Sequence, residues 1–241
     1  MCKSDVLCLL ILATSIASCN DKKTIDSNVK HQGTLKQIMS GNLEATTSLD
    51  SLQSLPHLYA LGALEHLEGE IQVFDGISYV SKSTAAASVV LESTFDHKAA
   101  LLVYAQVPEW SEAITLEHFS ENSALEKQIK AAAILQGIAV EQPFPFLLKG
   151  TAATLDWHVI KWVKGETLHN HKKHKTNGAQ GALENRDVEV IGFYSENHQT
   201  IFTHHSTFLH LHFKTDDLQV VAGHVDGLTG DQLQLYLPQP Q

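Results

Sequence analysis

Apolar and polar residues alternate along much of the first half of the chain, and glycine or proline breaks the alternation at short intervals. This pattern predicts strands joined by tight turns. We expect strands at residues 58–64, 70–74, 77–91 and 99–107. Apolar residues recur at helical spacing in residues 123–137 and, over a shorter length, in residues 34–40, so both segments are predicted to be helices.

The second half is predicted to be mostly β-structure, with strands at residues 146–163, 188–194, 201–203 and 233–237. Its clearest element is a hairpin. An aromatic and branched run at residues 208–213 and an apolar run at residues 218–225 flank the polar turn at residues 214–217.

Three histidines lie on this predicted hairpin, His210 and His212 on the first strand and His224 on the return strand. Residues two apart on a strand share a face, so His210 and His212 point the same way. If His224 faces His210 across a three-residue loop, all three imidazoles converge. Three neutral imidazoles on a rigid sheet are the ligand set of an open zinc site. The alternative is that these histidines simply occupy a half-exposed sheet face.

Composition is that of a globular protein and limits the choice of partners. A length of 241 residues is enough for one large or two small domains with a proper core. Of these residues, 43% are hydrophobic and 18% are charged. The formal net charge of −10 argues against nucleic acid, which binds basic surfaces. The 15 histidines supply material for a metal site, but they also make some histidine clusters accidental.

All three cysteines, Cys2, Cys8 and Cys19, lie in the leader, so the body has none for a disulfide framework or a metal site. An apolar run too short to span a bilayer comfortably suits a signal peptide over residues 1–18. The small residues before Cys19 resemble a bacterial lipoprotein cleavage site. That resemblance implies a lipid on Cys19, a tether over residues 19–32 and a membrane-anchored protein of the cell envelope, facing the periplasm or the exterior. The alternative is an ordinary secretory peptide.

Two further polar features have plainer interpretations. Glu70 directly follows Gly69 at the start of a predicted strand, and by itself it is interpreted as an exposed strand-end residue, although a carboxylate there could face a site. Residues 169–175 combine histidines with lysines that repel a cation, and glycines follow them. We therefore expect a solvated loop at this stretch rather than a metal site.

Several motifs, spread over most of the mature chain, together resemble one known family. They are Gly33-Thr34-Leu35, Ser40-Gly41-Asn42-Leu43, Leu67-Glu68-Gly69-Glu70 with Asp75-Gly76, Phe144-Pro145-Phe146 through Gly150-Thr151, His210-Leu211-His212-Phe213, Asp216-Asp217 and Gly223-His224-Val225. The family that they resemble is alpha-acetolactate decarboxylase, a zinc enzyme. The motifs that carry the three histidines are the most specific part of the resemblance.

The resemblance implies a fold, a reaction and a set of site residues. The fold is α/β in the broad sense (α+β), with a mixed β-sheet and helices over residues 33–145 and an antiparallel β metal-binding part over residues 146–241. The reaction is conversion of 2-acetolactate, a small 2-hydroxy-3-oxo acid, to acetoin and carbon dioxide by a homodimer. The implied site residues are His210, His212 and His224 as ligands of Zn2+, and Glu70 as the active-site glutamate beside the metal.

The chain departs from the family pattern at two polar positions. The family has an active-site arginine on the strand after Gly150-Thr151, and His158 falls at that position, which makes it a candidate catalytic residue. The other candidates to hold a substrate carboxylate are Lys149, Lys161 and Arg186, none of which copies an arginine fork at that position. The family also carries a second active-site glutamate in a C-terminal extension, and this chain has no acidic residue after Asp231.

Three functions are therefore open. The first is zinc-dependent decarboxylation of acetolactate or a related acid. The second is a metal-binding envelope lipoprotein of the same fold that has lost turnover or changed substrate. The third is a cupin-type metal enzyme, which is disfavoured because no glutamate follows His212 at the spacing used by that family.

Overall fold

The structure is a computed structural model that describes residues 28–167 and 171–239. The predicted signal peptide at residues 1–18 and the predicted lipidation site Cys19 lie outside the described residues. Residues 30–32, which we assigned to the tether, form a strand instead. Within the described ranges, no helix is long and apolar enough to cross a membrane.

The first sheet is built from the N-terminal part of the chain. Its strands are β1 (Lys30–Gln32), β2 (Thr47–Ser48), β3 (Leu58–Leu64), β4 (Glu70–Phe74), β5 (Ile77–Ala85), β6 (Ser88–Glu92) and β7 (Lys98–Gln106). They are hydrogen-bonded in the order β1-β7-β3-β4-β5-β6, and β2 pairs with β7. Every residue of β3 is buried, as its continuous apolar run requires. Gly62 lets β7 approach closely, since a Cβ there would lie 2.0 Å from the carbonyl oxygen of Leu101.

The second sheet contains the longest strands of the described chain. Its strands are β8 (Ile114–Thr115), β9 (Phe144–Val159), β10 (Ala179–Tyr194), β11 (Leu209–Thr215), β12 (Ala222–Gly230) and β13 (Gln234–Tyr236). They follow the order β10-β11-β12-β9-β13-β8, and β10 also pairs with β9. Each of the strands β9, β10, β11 and β12 is therefore paired with two of the others, in a closed ring of antiparallel pairs.

Three short or medium helices and two helical turns complete the described fold. The helices are α1 (Leu35–Met39), α2 (Asn122–Leu135) and α3 (His171–Thr176), and the turns lie at Leu49–Leu52 and Glu65–Leu67. Thr34 caps α1, because its side chain accepts a hydrogen bond from the backbone N–H of Gln37. Helix α2 buries Leu125 and Ile129 in the same core cluster as the apolar residues of the second sheet. The two predicted helices are therefore present.

The two sheets share a core, and this contact positions the site. One buried cluster combines Leu61 and Val103 of the first sheet with Leu147 and Ile191 of the second. The α+β class is confirmed. All pairs between the named strands are antiparallel, including those of the N-terminal part, for which the resemblance implied a mixed sheet.

Some predicted boundaries differ from the structure for physical reasons. Residues 77–91 form two strands, β5 and β6, rather than one. The return strand of the hairpin begins at Ala222, because the backbone N–H of Thr215 donates to the carbonyl of Val221 and leaves Leu218 fully exposed in the loop. Residues 201–203 form a turn instead of a strand.

The predicted division of the chain into parts at residues 145 and 146 stays a prediction. In the structure, β8 pairs with β13 of the second sheet, and α2 packs on that sheet as well, although both precede this point. The tight turn at Gly41 and the start of β3 at Leu58 agree with their predicted places.

Candidate active site

The candidate site begins with a row of histidines that crosses three neighbouring strands. His224 of β12 pairs with His212 of β11 on one side and with His158 of β9 on the other. Directly paired residues on adjacent strands project from the same face of a sheet. His210 shares this face because it lies two residues before His212. The strand register therefore gathers four imidazoles.

The hairpin register differs from the predicted one without dispersing the histidines. His224 was predicted to face His210, but it faces His212. The loop is longer than the three residues predicted, and the register moves by two as a result. A shift of two residues preserves the alternation of faces, so the three imidazoles still converge.

The imidazoles of His210, His212 and His224 have the geometry of a metal-binding group. Their ring centroids lie 5.1, 5.2 and 5.1 Å apart, and one nitrogen of each lies within 4.8 Å of the others. In the part of the chain that the structure describes, His210 Nδ1 and His212 Nε2 are buried without a hydrogen-bond partner. A buried nitrogen of this kind is costly unless a cation or a water takes its lone pair. The donor set therefore fits a divalent metal that prefers imidazole ligands.

Burial keeps two of these histidines in the form that binds metals. It lowers the pKa of His210 to about 4. It also lowers the pKa of His212 well below the ordinary value, and the neighbouring His210 and His158 lower it further. Because a metal needs the lone pair of a neutral imidazole, these two side chains are ready for a cation at neutral pH.

Glu70 reaches the histidines from the first sheet. Its side chain is only 4% exposed, and its carboxylate oxygens lie 3.7 Å from His158 Nε2 and 3.9 Å from His212 Nε2. The backbone N–H of Ile160 donates to Glu70 Oε1 at 3.3 Å. The interpretation of Glu70 as an exposed strand-end residue was wrong, because the second sheet covers this end of β4. Burial raises the pKa of Glu70 well above its usual range, which favours the protonated carboxyl.

His158 belongs to a chain of charged and polar groups that ends on Lys175. His158 Nδ1 lies 3.0 Å from Asp226 Oδ1, and Asp226 Oδ2 lies 2.6 Å from Lys175 Nζ. Burial lowers the pKa of His158, although the hydrogen bond to Asp226 opposes this effect. Burial alone would raise the pKa of Asp226, but His158 and Lys175 outweigh it and lower this pKa. Asp226 is therefore a carboxylate that accepts from both neighbours and directs His158 Nε2 towards Glu70.

Lys175 comes from a stretch that the sequence predicted to be a solvated loop. Residues 171–176 form helix α3 instead. Lys175 anchors this helix through its ion pair with Asp226, and Lys173 lies 3.3 Å from Glu166. The positive charges of these two lysines are therefore offset by one acidic partner nearby in the sequence, Glu166, and one that is distant, Asp226. His169 of the same stretch lies outside the described residues.

A cavity of about 400 Å³ opens onto these groups, a volume suited to a small organic acid. Its charged and polar lining includes Glu70, His158, Lys175, His210, His224 and Asp226. Apolar side chains that include Leu67, Leu101, Ile160 and Phe202 line another part of the wall, and further polar residues such as Asn122, Glu126 and His204 complete it. His212 lies behind this surface and is fully buried.

The structure does not bring Lys149 or Arg186 to the cavity. Lys149 Nζ lies 2.9 Å from Glu189 Oε1, and Arg186 Nη1 lies 3.3 Å from Asp217 Oδ1. Neither residue lines the cavity. The third basic candidate, Lys161, donates to the backbone carbonyl of Ser83 at 3.3 Å. A substrate-binding role for Lys149 or Arg186 has no geometric support, because both pair with carboxylates elsewhere.

Sequence reasoning missed three residues of the site: Lys175, Asp226 and Gln72, whose amide oxygen lies 3.0 Å from His212 Nδ1. Two of them carried a usable signal. Gln72 lies two residues after Glu70 and therefore shares its face of β4. Asp226 lies two residues after His224, although a bulge displaces the pairing at this point. Lys175 had no comparable signal, because its contact with Asp226 joins residues 51 apart.

The family model of alpha-acetolactate decarboxylase matches residues 30–240 of the chain. No curated protein sequence matches the chain. A solved structure from Staphylococcus aureus, of a protein of unknown function similar to alpha-acetolactate decarboxylase, is similar to this chain with a TM-score of 0.72. Its sequence identity is 16%, and the match covers 88% of this chain and 86% of that chain.

Two solved structures of the decarboxylase itself are similar as well. The alpha-acetolactate decarboxylase of Bacillus subtilis strain 168 has a TM-score of 0.72 and 15% identity, with 89% of this chain and 86% of that chain covered. The acetolactate decarboxylase of Bacillus subtilis subspecies spizizenii has a TM-score of 0.73 and 14% identity, with 89% of this chain and 87% of that chain covered. At these identities the similarity shows a shared fold.

Proposed function

We propose that this chain, which belongs to the alpha-acetolactate decarboxylase family, is a metal-dependent lyase that converts 2-acetolactate to acetoin and carbon dioxide. The observation that carries the proposal is the convergence of His210, His212 and His224 beside a buried glutamate, at the wall of a cavity of suitable size. The proposed metal is Zn2+, to be held by the three imidazoles. The proposed substrate class is small 2-hydroxy-3-oxo acids.

The reaction needs three tasks from the site. Loss of carbon dioxide leaves an electron pair that must pass into the adjacent carbonyl group. A divalent cation held by His210, His212 and His224 would act as a Lewis acid on the hydroxyl and carbonyl oxygens of the substrate. The remaining tasks, which are binding of the carboxylate and delivery of a proton to carbon, fall to side chains of this protein.

Glu70 is the proposed proton donor. Its carboxyl faces the cavity and has a raised pKa because it is buried, so the protonated form is favoured. The Ile160 backbone N–H holds one of its oxygens in place. A carboxylic acid in this position can transfer a proton to the carbon that has lost carbon dioxide.

Lys175 is the proposed partner of the substrate carboxylate. It lines the cavity and brings a positive charge close to His158, which occupies the position at which the family resemblance implied an arginine. Asp226 accepts hydrogen bonds from both Lys175 and His158, so one acidic residue positions a cation and an imidazole at the cavity wall.

The same ion pair favours a second candidate function. Asp226 already neutralises part of the charge on Lys175, at a separation of 2.6 Å. The attraction between Lys175 and a substrate carboxylate is weaker as a result. This favours a metal-binding protein of the same fold that has an altered substrate or no turnover. This alternative predicts metal binding without formation of acetoin.

The function is tested with purified protein before and after removal of metal by a chelator. We expect the zinc-loaded protein to form acetoin from 2-acetolactate faster than the metal-free protein, and added zinc to restore the rate. Metal content and acetoin are measured on the same samples. Zinc bound in stoichiometric amount without acetoin above the buffer control would remove the decarboxylase proposal and leave the second candidate.

Replacing Lys175 with methionine is expected to raise the KM for 2-acetolactate about 10–150-fold, since a hydrogen bond to a charged group contributes roughly 1.5–3 kcal/mol. Inhibition by the uncharged product acetoin should change little, because acetoin has no carboxylate. Initial rates at varied substrate, with acetoin as inhibitor, give both quantities. Lys173→Met in the same helix is the matched control, because Lys173 pairs with Glu166 and does not line the cavity. An unchanged KM in Lys175→Met would contradict the assignment.

The envelope location and the homodimer are proposals that rest on the sequence. A lipid on Cys19 would place the mature chain on a membrane surface. Mass spectrometry of the mature N-terminus measures the lipid, and light scattering of the detergent-solubilised protein measures the oligomeric state.

A further inference from the structure

Two buried polar side chains of the first sheet connect His212 to the backbone of the second. They are Gln72 of β4 and Ser81 of β5, both completely buried. Gln72 Oε1 lies 3.0 Å from His212 Nδ1, and Gln72 Nε2 lies 2.7 Å from Ser81 Oγ. Ser81 Oγ lies 2.7 Å from the carbonyl oxygen of Ala222. The contacts form one continuous chain of hydrogen bonds across the interface between the sheets.

The donor and acceptor of each hydrogen bond in this series follow from its last member, the backbone carbonyl of Ala222. A backbone carbonyl only accepts, so Ala222 takes the single hydroxyl proton of Ser81. Ser81 Oγ must then accept at its other contact, which places the NH2 group of Gln72 beside it and the amide oxygen beside His212. An amide oxygen also only accepts. His212 Nδ1 must therefore carry the proton, and His212 Nε2 keeps its lone pair.

That lone pair faces the candidate metal group. His212 Nε2 lies 3.9 Å from Glu70 Oε2, is buried, and has no hydrogen-bond partner among the described residues. Loss of the Gln72 amide oxygen would remove the side-chain acceptor of the Nδ1 proton and shift the tautomer equilibrium towards Nε2–H, which would block a cation. We infer that Gln72 and Ser81 are positioning residues that fix the Nδ1–H tautomer of His212 and so prepare the site for metal.

The inference rests on the proposed function for the identity of the ligand, but not for the tautomer. A partner that holds the second nitrogen of a metal-binding histidine fixes its orientation and raises its basicity. Gln72 does this from the opposite sheet, so the affinity for metal becomes coupled to the packing of the two sheets. A purely structural role for Gln72 would instead stabilise the fold without any effect on the tautomer.

The test compares Gln72→Met and Ser81→Ala with the wild-type protein. Competition with a chromophoric chelator measures the Kd for zinc, and nitrogen NMR of the metal-free protein reports the His212 tautomer. We expect Gln72→Met to raise the Kd about 10–100-fold, and Ser81→Ala to raise it less, with a mixed tautomer in both variants. Ser78→Ala is the control and should leave both readouts unchanged. Ser78 is buried on β5, the strand that also carries Ser81, and its hydroxyl has no partner among the described residues.

Each outcome decides the inference. A folded Gln72→Met variant with the wild-type Kd, or a wild-type His212 protonated at Nε2, overturns it. If the wild-type protein does not bind zinc, the proposed function fails, while the NMR measurement still decides the tautomer. If Gln72→Met does not fold by circular dichroism, the milder Ser81→Ala variant provides the same comparison.

Discussion

Replacing His212 with alanine is expected to abolish formation of acetoin and to weaken zinc binding more than any other single substitution proposed here. Loss of an outer hydrogen-bond partner of a metal ligand costs about 10–100-fold in affinity, and removal of the ligand itself costs more. His212 is the fully buried member of the group, with one nitrogen held by Gln72 and the other directed to the site. Zinc titration by calorimetry and the acetoin assay measure the two effects.

The matched control for this substitution is His118→Ala. His118 is exposed on an irregular segment and does not line the cavity, so the variant should bind zinc and form acetoin like the wild-type protein. Thermal unfolding of both variants shows whether His212→Ala is folded. A folded His212→Ala protein that binds zinc with the wild-type affinity would show that the three imidazoles are not the metal site.

The convergence of the three histidines in the candidate metal group was predictable from sequence because it depends on local periodicity. His210 and His212 share a face on any strand, and His224 joins them in any register shifted by an even number of residues. The predicted register was wrong by two residues, yet the convergence of the rings was not affected. Because the shift was even, each histidine stayed on its predicted face of the sheet.

Groups that depend on contacts between distant segments were not predictable in the same way. Lys175 became a cavity residue because Asp226, on another element, offsets the charge of a lysine-rich helix. Glu70 has the sequence context of an exposed strand end, and only the packing of the second sheet buries it. Local patterns report which face a side chain occupies, whereas the partner of that face depends on the tertiary fold.

Family membership and local geometry also carry different information. The family match covers residues 30–240 and so carries information about the whole fold. It does not predict the chain His158, Asp226 and Lys175, which occupies the side of the cavity where the resemblance implied an arginine. The proposed role of Lys175 in substrate binding therefore rests on this local geometry and not on the family match.

Replacing Glu70 with glutamine is expected to lower kcat by about 10²–10⁴-fold, the range that a positioned general acid contributes. Glutamine has nearly the same shape and can still accept the hydrogen bond from the Ile160 backbone N–H, but it cannot deliver a proton. Because burial favours the neutral carboxyl of Glu70, the substitution preserves its charge. Zinc affinity and the melting temperature should therefore stay close to those of the wild-type protein.

This combination of outcomes separates proton donation from metal binding. Glu68→Gln, two residues earlier in the chain and exposed, controls for the loss of a carboxyl group and should keep full activity. Single-turnover rates, zinc titration and thermal unfolding are measured on both variants. Near-normal turnover in Glu70→Gln would exclude this carboxyl as the acid. A loss of zinc together with activity would place Glu70 among the metal ligands, since its carboxylate already lies 3.9 Å from His212 Nε2.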